Sequence, residues 1–196
     1  MAGLPDITWA ALTRRTWTDF EQVMGANGGA RGCWCMHWRL SFAEWEKGQG
    51  DGNRSQMRQR ALADPPPGLV CYLDDEPVGW VAVGDRSEYA RMQRSPVMRP
   101  ADDAAVWVIS CLYVSAPHRK SRLHIPMIHA ACDFAAGHGL RAVDAYPVDP
   151  PEGKHAGADN AMTGIASAFR AAGFTELARP KPDRPVMRRE LGTTAK

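Results

Sequence analysis

At 196 residues with 44% hydrophobic composition, the chain can form one well-cored domain, 1–196, and is not a disordered or low-complexity sequence. Its 24 basic and 22 acidic residues leave a formal charge of +2, which excludes the global positive field of a nucleic-acid binder. No apolar run reaches the length of a membrane span, Met1 to Asp6 lack the pattern of a secretory signal, and five cysteines in mostly apolar segments predict reduced thiols in a cytoplasmic protein.

Ile7 to Leu12 predicts a first strand. Thr18-Asp19-Phe20-Glu21 and Ser41-Phe42-Ala43-Glu44 both have the form of a capping box, in which a hydroxyl and a carboxylate each satisfy a backbone N–H at a helix start. They predict helices running to Met24 and to about Gly48. Gly50-Asp51-Gly52 reads as a flexible joint, after which Asn53 or Ser55 caps a third helix through Ala63, stopped by Pro65-Pro66-Pro67. Leu69 to Leu73 and Val78 to Val83, separated by Asp74-Asp75-Glu76-Pro77, predict a hairpin. Arg86 to Pro100, polar with two prolines, predicts a loop holding a helical turn.

Val106 to Val114 is apolar and β-branched and reads as a buried strand; Ile125, Ile128, Ala131, Cys132 and Ala135 then recur at helical spacing, ended by Gly137 and Gly139. Between them lies the loop His118-Arg119-Lys120-Ser121-Arg122-Leu123-His124. A strand that turns sharply into a helix points unpaired backbone N–H groups into the turn, an arrangement that binds phosphate. Arg141 to Tyr146 predicts another strand, Pro147 to Asn160 a mobile loop, Thr163 to Ala172 a helix ended by Gly173, and Phe174 to Ala178 and Pro185 to Leu191 two closing strands. This order predicts an α/β (α+β mixed) fold with a central mixed, mostly antiparallel sheet and helices on both faces.

The loop and its flanks resemble the acyl-CoA pyrophosphate loop of the GNAT N-acyltransferases, Arg/Gln-x-x-Gly-x-Gly/Ala. Arg119 fits the first position, while Arg122 and His124 stand where the family has small residues. Gly32-Cys33-Trp34-Cys35-Met36-His37-Trp38-Arg39, Tyr146-Pro147-Val148-Asp149, Phe169-x-x-x-Gly173-Phe174 and Pro185-Val186-Met187-Arg188 resemble blocks of one bacterial subgroup of that family. The resemblance implies acetyl-CoA as co-substrate, its pantetheine arm along the fourth strand at Ile109, Cys111, Tyr113 and Val114. Its pyrophosphate would lie on Arg119, Lys120, Ser121, Arg122, Leu123 and His124. It implies acyl transfer to a small-molecule amine, with the acceptor near Trp34, Trp38 and Glu44, and it leaves a homodimer open.

The acid that many family members carry four residues before the Gly-Phe pair is Phe169 here, and the position of the strand glutamate used by others is about Val108. Tyr113, Tyr146, Asp149 and His124 are the remaining candidates for proton transfer. The altered loop leaves two readings. Either its cations grip phosphate, or their bulk blocks the site, and the fold serves as a ligand-binding module or catalyses a different reaction.

Cys33-x-Cys35 with His37 lacks a second ligand pair, so no metal site is expected. Arg86, Arg91, Arg94 and Arg99 form one basic stretch, and Arg179, Lys181, Arg184, Arg188 and Arg189 another; both read as solvated surface, the second with the alternative of helping to neutralise a cofactor phosphate.

Overall fold

The computed structural model describes residues 3–157 and 161–192. Seven strands form one sheet in the order β1-β2-β3-β4-β5-β7-β6. They are β1 (Thr8–Ala11), β2 (Gly68–Leu73), β3 (Glu76–Asp85), β4 (Trp107–Val114), β5 (Ala142–Ala145), β6 (Thr175–Lys181) and β7 (Arg184–Glu190). Every neighbouring pair is antiparallel except β4 and β5, which are joined by α5 (His124–Gly137), the crossover that a parallel pair requires. The expected mixed sheet with helices on both faces is therefore the fold of the chain.

Strand alternation sorts the core into two layers. Leu69, Cys71, Val81 and Val83 pack with α5 and α6 (Ala166–Ala171), whereas Val70, Trp80 and Ala82 pack with α1 (Trp17–Met24) and the aromatic segment that follows it. The β2–β3 hairpin closes through two residues, Asp74 and Asp75, at φ 50° and 64°, the type I′ geometry whose twist matches that of the strands. Between α1 and β2 lie α2 (Phe42–Lys47) and α3 (Asp51–Arg60), and α4 (Ala90–Gln93) is the helical turn expected after β3.

Ser41 and Glu44 form the expected capping box at α2. Thr18 does not cap α1: the helix already starts at Trp17, and the Thr16 hydroxyl at its N-cap is occupied by Thr13 N–H and the Ala11 carbonyl. The expected joint at Gly50–Gly52 is instead the start of α3. Asn53, a predicted cap, is buried inside that helix, where its amide donates to the Gly32 and Trp45 carbonyls and holds the aromatic loop against α2. The last helix is shorter than predicted because Gly164, at φ 84°, separates a 3-10 turn at Ala161–Thr163 from α6; a side chain there would meet Phe169 at 2.5 Å. The stretch predicted as a mobile loop is anchored at its start, where Val148 bridges to Ile165 and Asp149 N–H bonds the Asp183 carbonyl; its end, 158–160, lies outside the described residues.

Two features of β4 shape the site. Its pairing slips between Ala82 and Val83 of β3, leaving Ser110 as an extra residue, a bulge. Its parallel pairing with β5 ends at Ile109–Ala145, so from Ser110 onward β4 keeps β3 on one edge and no strand on the other among the described residues.

Candidate functional site

The open edge of β4 faces a cleft. A cavity of about 260 Å³ is lined by Gly29, Tyr113, Val114, Arg119, His124 and Met162 among others. A second, of about 240 Å³, is lined by Arg31, Cys33, His37, Trp38, Trp45, Thr163 and Arg184 among others. Both include Ala30 and Met162, so the loop after α1 and the 3-10 turn before α6 form a waist between two compartments.

The first compartment ends at the loop 119–123. Arg119 is extended, and its Nε donates to the Val114 carbonyl at 3.2 Å. Lys120 and Arg122 both adopt left-handed backbone, at φ 66° and 64°. For a residue with a Cβ this costs about 1 kcal/mol, and glycine adopts it freely. Arg122 thus holds, at strain, a backbone that a glycine would take without it. The amides of Lys120, Leu123 and His124 have no intramolecular acceptor among the described residues, and they lie at the start of the 14-residue α5. The Ser121 hydroxyl bonds the His118 carbonyl and Leu123 is buried in the core, so neither side chain is turned to the cleft, which Arg119 and His124 line. Burial lowers the proton affinity of His124, whose ring is therefore neutral near pH 7.

The bulge at Ser110 separates the residues expected to act together along the strand. Before it, Ile109 is fully buried under α5; after it, Cys111 and Tyr113 face the layer of α1, while Val114 returns to the other side. Ile109 and Cys111 do not line the cleft. The Cys111 thiol hydrogen-bonds that of Cys35, and this contact together with burial raises its proton affinity well above the ordinary thiol range. Tyr113 and Val114 do line it.

Two predicted proton-transfer residues lie elsewhere. Tyr146 is 1% exposed in a cluster with Tyr89, Met98 and Val108, and burial pushes its hydroxyl up to about 12. The Asp149 carboxylate is bound by Arg170 at 2.6 Å and Arg179 at 2.8 Å, pairings that hold it below the ordinary carboxylate range. Of the residues expected at the acceptor, Trp38 lines the second compartment. Trp34 packs between Trp17, Phe20 and Arg54 in the aromatic core, and Glu44 is an exposed cap whose carboxylate takes the Ser41 N–H and hydroxyl.

Arg31, Cys33, His37, Thr163 and Arg184 were not among the predicted site residues. His37 lies edge-on to Trp38 and Trp45, with Nδ1 3.4 Å from Arg91 Nη1. Its place in the Cys-Trp-Cys-Met-His-Trp block was the available signal. The second basic stretch divides: Arg179 and Arg188 are held by carboxylates, and Arg184 borders the cleft. Among the described residues no group of three His, Cys, Asp or Glu side chains is arranged to hold a metal, and no helix is long and apolar enough to cross a membrane.

A profile of the Acetyltransferase (GNAT) family matches residues 34–156. A comparison with curated proteins finds no match. Among solved structures, the fold is similar to a ribosomal-protein-alanine N-acetyltransferase from Brucella melitensis (16% identity, 94% of this chain and 99% of that one, TM-score 0.55). It is also similar to a GCN5-related N-acetyltransferase from Kribbella flavida (15%, 94% and 98%, 0.54) and to the PaiA N-acetyltransferase from Thermoplasma acidophilum in complex with coenzyme A (11%, 95% and 99%, 0.54).

Proposed function

Because the chain belongs to the GNAT acetyltransferase family, whose co-substrate is acetyl-CoA, we propose that it transfers the acetyl group to the amine of a small molecule. The observation that carries this reading is the backbone of the loop 119–123. Left-handed Lys120 and Arg122, with amides at the start of α5 that have no acceptor among the described residues, make a cradle of N–H donors for a pyrophosphate despite the lost glycine. With the loop backbone already in this conformation, the reading of a fold that has lost coenzyme A is not favoured.

The residues present fit the co-substrate. The unpaired edge of β4 offers backbone donors and acceptors to the amides of a pantetheine arm, as an added strand would use them. Lys120 is an exposed cation beside the loop amides, and Arg119 fixes the loop to the strand end. When bound, acetyl-CoA supplies an activated thioester. The waist at Ala30 and Met162 then separates a donor compartment from an acceptor compartment.

Acyl transfer needs the amine neutral and a proton for the departing thiolate. In this reading His124, kept neutral by burial, accepts a proton near pH 7, and Tyr113, which lines the same compartment, donates one. The first test is titration with acetyl-CoA. Binding stabilises the native state by about 2.7 kcal/mol at a hundredfold excess over Kd, read as a rise in Tm, and free thiol is released when an acceptor amine is added. No thermal shift at millimolar acetyl-CoA overturns the proposal.

A further inference from the structure

We propose that the acceptor amine also carries an anionic group, a carboxylate or its equivalent, on an aromatic or apolar body, and that Arg31 binds the anion. The inference rests on the acetyl-transfer reading for the amine, and on the second compartment alone for the anion.

Arg31, Trp38 and Trp45 form much of its wall, together with His37, Thr163 and Arg184, and no carboxylate lines it among the described residues. The contact of Arg31 within the chain is with a ring, its guanidinium lying 5.8 Å from the centre of Trp45, and no described carboxylate pairs with it. A further cation stands behind the pocket: the Arg91 guanidinium lies 5.8 Å from the Trp38 ring centre and 5.0 Å from that of Phe42. The backbone that presents Arg31 is firmly set. Arg31 is left-handed at φ 53°, and Gly32 after it packs so closely on the start of α3 that a Cβ would lie 2.2 Å from the Gly50 nitrogen. Three further polar groups of pocket-lining residues, the Trp38 and Trp45 indole N–H groups and the hydroxyl of the 1%-exposed Thr163, are buried without a hydrogen-bond partner among the described residues.

A pocket with excess guanidinium charge and spare hydrogen-bonding groups repels a polycation, which would bring several charges with nothing to neutralise them. A molecule that carries its own carboxylate brings an acceptor for Arg31, in the charge-assisted geometry for which guanidinium is suited, and leaves one amine to be acetylated. The tryptophan rings supply flat apolar walls for the remainder.

Matched pairs that differ only in the carboxylate test this: phenylalanine against phenethylamine, and tryptophan against tryptamine. Each is titrated calorimetrically into the protein with coenzyme A present and absent, and assayed with acetyl-CoA. The expected result is at least about tenfold tighter binding of the carboxylated member. In Arg31→Gln the preference falls below about threefold with the bare amine unaffected, and Arg31→Lys restores part of it. Equal or tighter binding of the bare amine overturns the inference, as does a preference that survives Arg31→Gln, or no binding of any member at 10 mM, about ten times the upper end of the usual KM range. If acetyl-CoA does not bind but the carboxylate preference and its dependence on Arg31 persist, acetyl transfer fails and the anion site stands.

Discussion

The Arg119 guanidinium lies 5.7 Å from the centre of the Tyr113 ring while its Nε bonds the Val114 carbonyl. One side chain therefore fastens the loop to the end of β4 and covers the tyrosine of the donor compartment. Arg119→Ala is expected to raise the Kd for acetyl-CoA about tenfold, or about 1.4 kcal/mol. The accompanying loss of stability should stay near 1 kcal/mol, because an exposed cation–π contact contributes no more than that. Arg119→Lys should restore charge without the bond to Val114 and so recover little affinity. Calorimetric titration and thermal melts of the three proteins separate these effects.

Arg122 holds left-handed backbone at φ 64°. Arg122→Gly is expected to relieve about 1 kcal/mol of strain, offset in part by the greater freedom of glycine in the unfolded chain. Stability should be unchanged or slightly raised. Acetyl-CoA affinity should fall about threefold with loss of a charge-assisted contact to phosphate. Binding that is absent in the native sequence and present only in the glycine variant would instead mean that the side chain blocks the site.

Asp74 and Asp75 occupy the two positions of a type I′ turn, and both have positive φ. They also put three carboxylates in succession with Glu76. Replacing the pair with Asn-Gly should stabilise the fold by about 1 kcal/mol, since Asn and Gly enter this conformation with least strain. For a chain of this size that raises Tm by about 2–4 °C. The turn is remote from the cleft, so turnover should be unaffected.

The same turn shows what was legible in the residues. The hairpin, the Ser41–Glu44 cap, the α5 periodicity and the closing strands rest on local spacing, and each formed where expected. The bulge at Ser110 has no glycine or proline to mark it. It depends on how β4 meets β3, and it alone reverses which side Cys111 and Tyr113 face. Asp149 reads as an open strand-end carboxylate, but it is claimed by Arg170 and Arg179, 21 and 30 residues away. Arg31 and His37 enter the cleft through a loop of left-handed residues whose path is set by packing against α2 and α3, which periodicity cannot express.

Arg188 on β7 holds the sheet interior electrostatically. Its Nε and Nη2 bond the fully buried Asp144 on β5 at 2.6 and 3.0 Å, and Arg86 reaches the same carboxylate at 2.7 Å. Arg188→Met leaves that buried charge with Arg86 alone and is expected to cost about 3 kcal/mol, a Tm lower by about 6–12 °C. Arg188 also bonds Asp102 at 2.8 and 2.9 Å, and this contact holds the Asp102 carboxyl at about 2 against an ordinary 3.8. Because the folded state binds this proton less readily than the unfolded one, the contribution is fully present above about pH 4 and disappears as pH falls from 3.8 toward 2. Urea unfolding of the native chain and of Asp102→Asn should therefore differ by a constant amount at pH 5 to 7, with the gap closing below pH 4. A gap independent of pH down to 2 would show that Asp102 acts through something other than its charge.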